Sequence, residues 1–190
     1  MSKYTIVGLD CEMTGGRFEP QFKTCQVGIA YAADNHFVSD VGWAEYDFTE
    51  EALQVNRFTH ERIRKGRTTE AVSNKAVGWV KQVNPEMGRL IAVGWGVDGD
   101  LRFIRKDLPL LGLWFAWRYV NLTSVCTFLG NMRGRCGEYS ATTWKMKAKK
   151  NAERKLIEYG HTPNPHDAGW DALVALYGYE WLRSVIRIHE

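Results

Sequence analysis

Runs of apolar residues near the start of the chain have the length and composition of β-strands. Residues 4–13 (YTIVGLDCEM) are mostly apolar and rich in residues that favour strands, as expected of a largely buried strand. After Gly15-Gly16, residues 26–33 predict a second strand, Asp34-Asn35 a turn, and residues 37–46 a third strand. Two strands joined by so short a turn predict an antiparallel hairpin that follows the first strand.

Further along the chain, apolar residues recur at helical spacing between shorter strand-like runs. Segment 47–69 is polar and is predicted to be irregular. Helices are predicted at residues 70–83 and 142–159, and from Asn164-Pro165 almost to the C-terminus. Residues 100–111 are predicted to begin as a helix whose end Pro109 disturbs, and strands are predicted at 90–95 and 114–120. A hairpin followed by strands that alternate with helices predicts an α/β domain, in which helices flank a mixed sheet.

Composition sets bounds on this domain. The chain has 190 residues, of which 45% are hydrophobic and 25% charged, a balance that excludes disordered and collagen-like proteins and predicts one domain over residues 1–190. The four cysteines contain no CxxC pair, so neither a zinc knuckle nor a disulfide scaffold is predicted. Without a signal peptide or an apolar run of membrane-spanning length, we expect a soluble, cytoplasmic protein with no membrane contact.

Positive charge is concentrated in one segment. Residues 131–155 contain eight basic and two acidic residues, a net charge of +6, whereas the chain as a whole carries +3. Such a segment indicates a surface for a polyanion, although a solvated helix face gives the same count. If the segment binds the phosphates of a nucleic acid, Lys147, Lys149 and Lys150 are the candidate contacts.

Asp10 and Glu12 lie near the end of the first predicted strand. Side chains two residues apart on a strand point to the same face, about 6.6 Å apart along it. Two carboxylates on one buried face repel each other unless a cation lies between them. The alternative is that the strand ends here and that both carboxylates are solvated.

Two later segments carry further candidates. Asp100 opens a predicted helix after a strand, where a carboxylate also serves as an ordinary helix cap, and Asp98 competes with it for any role. His166 and Asp171 flank the start of the last helix. Five helical residues turn the chain through about 500°, so these two side chains converge only if His166 lies in the loop and Asp171 in the regular helix.

The three segments in this order resemble the DEDDh family of 3′→5′ exonucleases, which have the ribonuclease H-like fold. LDCEMTG (residues 9–15) resembles the family's D-x-E motif, VGWGVDGDLRFI (93–104) its second motif, and HDAGWDALVALY (166–177) its H-x4-D motif. The second motif selects Asp100 over Asp98. The resemblance spans residues 4–182. The motifs are similar to those of both the RNA exonuclease and the oligoribonuclease branches of the family.

The resemblance implies a metal-dependent nuclease. Asp10, Glu12, Asp100 and Asp171 would hold two divalent cations, Mg²⁺ or Mn²⁺, and His166 would be the general base. The substrate would be a nucleic acid with a free 3′ end, most simply a single strand, cut to nucleoside 5′-monophosphates. The backbone of Met13 and Thr14 would line the pocket of the last nucleotide together with the Phe103 side chain, although Phe103 equally suits the core.

Two other functions fit the same residues. A catalytically silent nucleic-acid-binding module would keep the fold, although it need not retain all five residues of the motif set. A related endonuclease would cut without needing an end. The choice between DNA and RNA stays open, and a homodimer is compatible with the sequence.

Overall fold

A mixed β-sheet forms the centre of the fold. The computed structural model describes residues 4–16, 19, 21–86, 88–132 and 139–188. Its strands are β1 (Tyr4–Met13), β2 (Thr24–Ala32), β3 (Asn35–Asp40), β4 (Arg89–Gly94) and β5 (Phe115–Asn121). Their order across the sheet is β3-β2-β1-β4-β5, in which β1 pairs antiparallel with β2 and parallel with β4. The predicted α/β class and the N-terminal hairpin are confirmed.

Helices cover both faces of the sheet. In chain order they are α1 (Glu50–Asn56), α2 (His60–Lys65), α3 (Thr69–Val83), α4 (Val97–Asp107), α5 (Pro109–Gly112), α6 (Leu122–Asn131), α7 (Ala141–Glu158) and α8 (Ala168–Ile188). Within the ranges described above, no helix is long and apolar enough to cross a membrane.

The two faces of β1 pack against different helices because strand side chains alternate. Val7, Leu9 and Cys11 belong to a core that they share with α3 and α4, whereas Ile6 packs among residues of α7 and α8. Asp10 and Glu12 have the parity of Ile6, so both carboxylates share the face that α8 covers.

Two glycines bring α8 close to the sheet. A Cβ atom at Gly8 would lie 2.0 Å from the carbonyl oxygen of Ala172, and one at Gly28 would lie 2.0 Å from that of Ala168. No side chain fits at either position while the helix stays in place. This close approach sets the first turns of α8, which include Asp171, against the carboxylate end of β1.

Some predicted elements differ from the structure. Segment 47–69 is not irregular throughout, because Thr49 and Thr59 cap the short helices α1 and α2 through their hydroxyl oxygens. Helix α6 follows β5 directly and was not predicted. Residues 133–138, which include two of the eight basic residues of segment 131–155, lie outside the described part of the chain.

Candidate active site

Asp10 and Glu12 lie where β1 extends beyond its parallel neighbour. The pairing of β1 with β4 covers Tyr4 to Gly8, whereas its pairing with β2 continues to Met13. On β2, Gly28 is opposite Asp10 and Gln26 is opposite Glu12. Glu12 is 7% exposed and Asp10 is partly buried, so neither carboxylate is freely solvated.

Asp100 bonds to the part of β1 that extends beyond its pairing with β4. It lies in the first turn of α4, is 7% exposed, and its Oδ1 atom accepts a hydrogen bond from the backbone N–H of Cys11 over 3.2 Å. Asp98 is engaged elsewhere, because its Oδ1 atom accepts from Nδ2 of Asn121 over 2.9 Å. The structure therefore places Asp100, and not Asp98, beside Asp10 and Glu12.

The third motif meets the same cluster from α8. His166 lies in the preceding loop with a left-handed backbone (φ 64°), and its N–H donates to Oδ2 of Asp171 over 3.0 Å. One ligand atom from each of Glu12, His166 and Asp171 lies within 4.8 Å of the other two. Because His166 is in the loop and Asp171 in the helix, the two side chains converge, as the spacing required.

The prediction that the last helix begins at Asn164-Pro165 is wrong. Asp167 is the capping residue, because its Oδ1 atom accepts from the N–H groups of Gly169 (3.1 Å) and Trp170 (3.2 Å). The helix begins at Ala168. Asn164 instead closes a turn, in which its carbonyl oxygen accepts from the N–H of Asp167.

The crowded carboxylates raise one another's pKa. Burial, followed by the charges of Asp171 and Asp100, raises the pKa of Glu12 from 4.5 to about 8. Burial raises the pKa of Asp100 from 3.8 to about 7, against the opposing hydrogen bond from Cys11. The pKa values of Asp10 and Asp171 are also raised, in each case mainly by burial. Ionisation of these carboxylates therefore destabilises the folded protein, and a bound cation would offset that effect.

This donor set fits a hard divalent cation. Four carboxylates supply oxygen ligands, which suit Mg²⁺ and Mn²⁺, whereas a zinc site would have nitrogen or sulfur ligands in the majority. The group formed by Glu12, His166 and Asp171 is compact enough to hold an ion. The described residues thus fit the metal chemistry that the sequence predicts.

Solved structures with the same architecture are known nucleases. The nuclease domain of 3′hExo, a DEDDh family member that was crystallised bound to rAMP, matches with a TM-score of 0.63 over 94% of this chain and 92% of its own, at 15% identity. The fold is that of a DEDDh exonuclease domain. Cell-death related nuclease 4 matches with a TM-score of 0.54 over 98% of this chain and 66% of its own, at 16% identity.

Another 3′-exonuclease, in a structure that describes 3′-end-specific recognition of a histone mRNA stem-loop, matches with a TM-score of 0.57 at 14% identity. This match covers 96% of the present chain and 81% of that exonuclease. No family model matches the chain, and no curated protein matches it. The relationship to the DEDDh exonuclease fold is therefore visible in the backbone and in the short motifs rather than in overall sequence identity.

A cavity of about 590 Å³ opens beside Glu12. Met13 and Asn56 line it, and Nδ2 of Asn56 donates to the carbonyl oxygen of Met13 over 2.9 Å. Gly15 also lines the cavity, and no larger side chain fits there because a Cβ atom would fall 2.2 Å from the ring of Phe22. Met13, which the sequence predicts as a nucleotide contact, therefore lies at a cavity next to the carboxylates.

Thr14, which was predicted beside it, has a different environment. Its side chain is completely buried, and its hydroxyl donates to the carbonyl oxygen of Asp47 (2.6 Å) while accepting from the N–H of Lys23 (3.0 Å). Its own N–H donates to the carbonyl oxygen of Lys23, and its carbonyl oxygen accepts from the N–H of Thr49. Thr14 therefore connects the segments of Lys23 and Asp47 beside the cavity, and its polar groups are bonded within the protein.

Phe103 contradicts the expectation of a stacking residue. Its side chain is 0% exposed, so a nucleobase cannot reach the ring in this arrangement. The ring faces the ammonium group of Lys106, which lies 4.6 Å from its centroid. The core alternative therefore fits the structure.

The three predicted lysines lie on different sides of α7. Lys149 is half-buried, and its Nζ atom lies 5.5 Å from the ring centroid of Trp95. Its positive charge acts to lower the pKa of both Asp10 and Asp171. Lys147 instead lies over Tyr139 at 3.5 Å, and Lys150 is exposed to solvent. Only Lys149 of the three is placed beside the carboxylates.

A buried amide connects several elements behind the site, and sequence reasoning gave it no role. The Nε2 atom of Gln26 donates to Asp40 and to Asp167, each over 3.0 Å, and its Oε1 atom accepts from the N–H of Ala168 over 2.7 Å. Arg62 completes the network with two bonds to Asp40, at 2.7 and 2.8 Å. The available signal was a polar residue in an otherwise apolar strand.

Proposed function

We propose that the chain is a metal-dependent 3′–5′ exonuclease that removes nucleoside 5′-monophosphates from the end of a DNA or RNA strand. The observation that supports it most strongly is the meeting of Asp10, Glu12, Asp100, Asp171 and His166 at one edge of a sheet with the DEDDh exonuclease fold. These residues come from three separate regions of one chain, so the reaction requires no second subunit.

The four carboxylates would hold two divalent cations, Mg²⁺ or Mn²⁺. When bound, the cations would lower the pKa of a water molecule and stabilise the negative charge that develops on the phosphate. Asp100 is fixed for this task by the backbone of β1, and Asp171 by its bond with the N–H of His166. These main-chain bonds hold the carboxylates in position before a cation arrives.

His166 would serve as the general base. The water oxygen would form a bond to phosphorus while the bond from phosphorus to the 3′-oxygen of the penultimate nucleotide breaks. The imidazole would take the proton from the water, and the departing oxygen would gain a proton from solvent. An exposed imidazole suits this role because one of its ring nitrogens can accept a proton and pass it to solvent.

The cavity beside Glu12 would take the terminal nucleotide. It has room for one nucleoside, and Met13 and Asn56 form part of its wall. A strand that ends in this cavity would place its last phosphodiester at the carboxylates. The cavity therefore supports cleavage from an end rather than within a strand.

The test is digestion of matched single-stranded DNA and RNA that carry a 5′ label, with Mg²⁺ or Mn²⁺. We expect a ladder that shortens one nucleotide at a time, release of 5′-monophosphates, no reaction with EDTA, and no cleavage of a circular strand. The Glu12→Gln variant is the inactive control, and Glu86→Gln, at an exposed position that does not line the cavity, is its charge-matched partner.

Other outcomes would favour the alternatives. Cleavage of the circular strand would indicate an endonuclease. Binding of oligonucleotides without any metal-dependent release of mononucleotides would indicate a silent binding module, and either result would contradict the proposed exonuclease.

A further inference from the structure

Two lysines one helical turn apart on α7 share a single aromatic ring. The Nζ atom of Lys145 lies 5.8 Å from the centroid of the Trp95 ring, and that of Lys149 lies 5.5 Å from it. Trp95 immediately follows β4, at the edge of the sheet where the carboxylates lie. Both ammonium groups therefore lie near the same ring, at the edge of the sheet that carries the carboxylates.

Neither ammonium group forms a salt bridge with any residue that the structure describes. In the ranges that the structure describes, the salt bridges on α7 are formed by Arg154 with Glu158 and by Lys155 with Glu180. Two unpaired positive charges placed together repel each other, and a face of the aromatic ring compensates only part of that repulsion. An arrangement of this kind is stabilised when an anion binds near both charges.

The position of Lys149 indicates which anion this is. Its charge acts on Asp10 and Asp171, so it lies within electrostatic reach of the proposed metal ligands. A lysine there would weaken metal binding, because like charges repel, and it offers no ligand atom to a cation. A phosphate of the substrate is the anion that approaches this place.

The direction of the bound nucleic-acid strand follows from the two features that flank the carboxylates, the cavity and the lysine pair. The cavity that would take the last nucleotide is lined by Glu12 and Met13, whereas the lysine pair belongs to the side of Asp10, Asp171 and Trp95. A strand that ends in the cavity and passes the carboxylates continues toward α7. The next phosphates upstream of the scissile bond would then meet the lysines.

We infer that Lys145 and Lys149, which share the ring of Trp95, form a phosphate-binding subsite for the nucleic-acid strand on the 5′ side of the scissile bond. This inference rests on the proposed function and adds a contact that acts on affinity rather than on chemistry. It replaces Lys147 and Lys150 of the sequence prediction by Lys145, because helix geometry turns Lys147 and Lys150 away from Trp95.

The experiment compares two double variants of the full chain that remove the same charge from the same helix. Lys145→Ala/Lys149→Ala removes both cations of the subsite. Lys150→Ala/Arg154→Ala removes two exposed cations that are also one helical turn apart. Binding of a 5′-fluorescein-labelled single-stranded decanucleotide, as DNA and as RNA, is measured by anisotropy in EDTA over a range of KCl concentrations. Each phosphate contact with a single strand contributes about −0.7 to the slope of log affinity against log salt.

We expect the slope of the Lys145→Ala/Lys149→Ala variant to be shallower than that of the wild type by about 1.4, for two lost contacts. The Lys150→Ala/Arg154→Ala variant should keep the wild-type slope, and Lys145→Arg/Lys149→Arg should restore it. Equal slopes for the two alanine variants, or no measurable binding by the wild type, would overturn the subsite. Because binding is measured without metal, this result is independent of whether the chain cleaves nucleic acid.

Hydrolysis with Mg²⁺ then separates the two proposals. If the wild type degrades the decanucleotide, the variant with an empty subsite should show a raised KM for it and an unchanged KM for a dinucleotide, which is too short to reach α7. Activity of the wild type with an unchanged KM for the decanucleotide would contradict the subsite alone. Absence of activity in the wild type would contradict the exonuclease alone.

Discussion

The side-chain amide of Gln26, on β2, donates a hydrogen bond to the carboxylate of Asp167 over 3.0 Å, across 141 residues of sequence. Asp167 caps α8 and directly follows His166, so this bond fixes the point at which the loop of the proposed base joins the helix of Asp171. Gln26 is 3% exposed, and all of its bonds are made inside the protein. It is thus a positioning residue, since it reaches His166 only through Asp167.

The first prediction concerns this residue. Gln26→Ala should lower kcat by about 10- to 100-fold, the usual effect of removing a group that orients a catalytic residue. The KM for a dinucleotide should change little, because Gln26 does not line the nucleotide cavity. The exposed Gln82→Ala is the matched control, and steady-state kinetics checks both variants. A loss of stability in Gln26→Ala without any change in kcat would make its role purely structural.

The second prediction concerns metal binding. Mg²⁺ or Mn²⁺ should raise the melting temperature of the wild type, because a ligand that binds only the folded state stabilises it. Asp10→Asn should abolish most of that increase, and it should also raise the melting temperature of the metal-free protein by relieving repulsion among the carboxylates. The exposed Glu86→Gln is the control, measured by differential scanning fluorimetry. Equal metal-induced shifts in the wild type and Asp10→Asn would exclude Asp10 as a ligand.

The third prediction is a pH dependence of the metal-free protein. The pKa of Glu12 rises from 4.5 when unfolded to about 8 when folded, so the folded state binds more protons between these values. The stability associated with protonated Glu12 is complete below pH 4.5 and is lost as the pH rises to about 8. Other groups also titrate here, so the measured quantity is the difference between the wild type and Glu12→Gln in urea unfolding. Glu12→Gln should become the more stable of the two as the pH rises, and a constant difference would contradict the prediction.

The fourth prediction separates a base from a ligand. His166→Ala should lose about 10²- to 10⁴-fold in kcat, the usual contribution of a positioned acid–base group. Its melting temperature should still rise with Mg²⁺ as in the wild type, because the carboxylates that hold the cation are intact. Loss of the metal-induced shift in His166→Ala would instead show that the imidazole is a metal ligand, which its distance of at most 4.8 Å from Glu12 and Asp171 permits.

The fifth prediction tests the close approach of α8 to the sheet. Gly8→Ala should destabilise the protein by about 1–3 kcal/mol, because the added methyl group displaces the helix that carries Asp171. Activity should fall further than stability explains. Gly78→Ala, in α3 with no atom within 4 Å of the added Cβ, is the control and should stabilise the protein by about 0.4–1 kcal/mol. Chemical denaturation and kinetics of the two variants check this, and an active, stable Gly8→Ala would contradict it.

The sequence predicted the elements whose signals are local and long. The spacing of Asp10 and Glu12 sets them on one face of a strand, and the stripe through Trp144, Ala148 and Leu156 predicts α7 almost to its ends. Gly160, in a left-handed conformation (φ 87°), stops that helix as expected. Long periodic segments can be predicted because many apolar residues fall on the same face of the element.

Short helices and long-range contacts were beyond such reasoning. Helices α1 and α2 have seven and six residues, too few for a period of 3.6 to stand out, so their caps are the main signal. Asn164-Pro165 is a typical local signal for the start of a helix. Asp167 nevertheless caps α8, and in that position it also accepts a hydrogen bond from Gln26. A contact between residues 141 positions apart depends on the packing of α8 against β2, which no local pattern specifies.

The bond that holds Asp100 comes from the main chain of Cys11, so the side chain at that position has no part in it. Nineteen of the twenty amino acids would supply the same N–H group, and only proline would remove it. Substitutions at position 11 therefore reveal the packing of the core beneath β1 and say nothing about the carboxylate. In a comparison of related sequences, one of the anchors of this site would leave no trace of conservation.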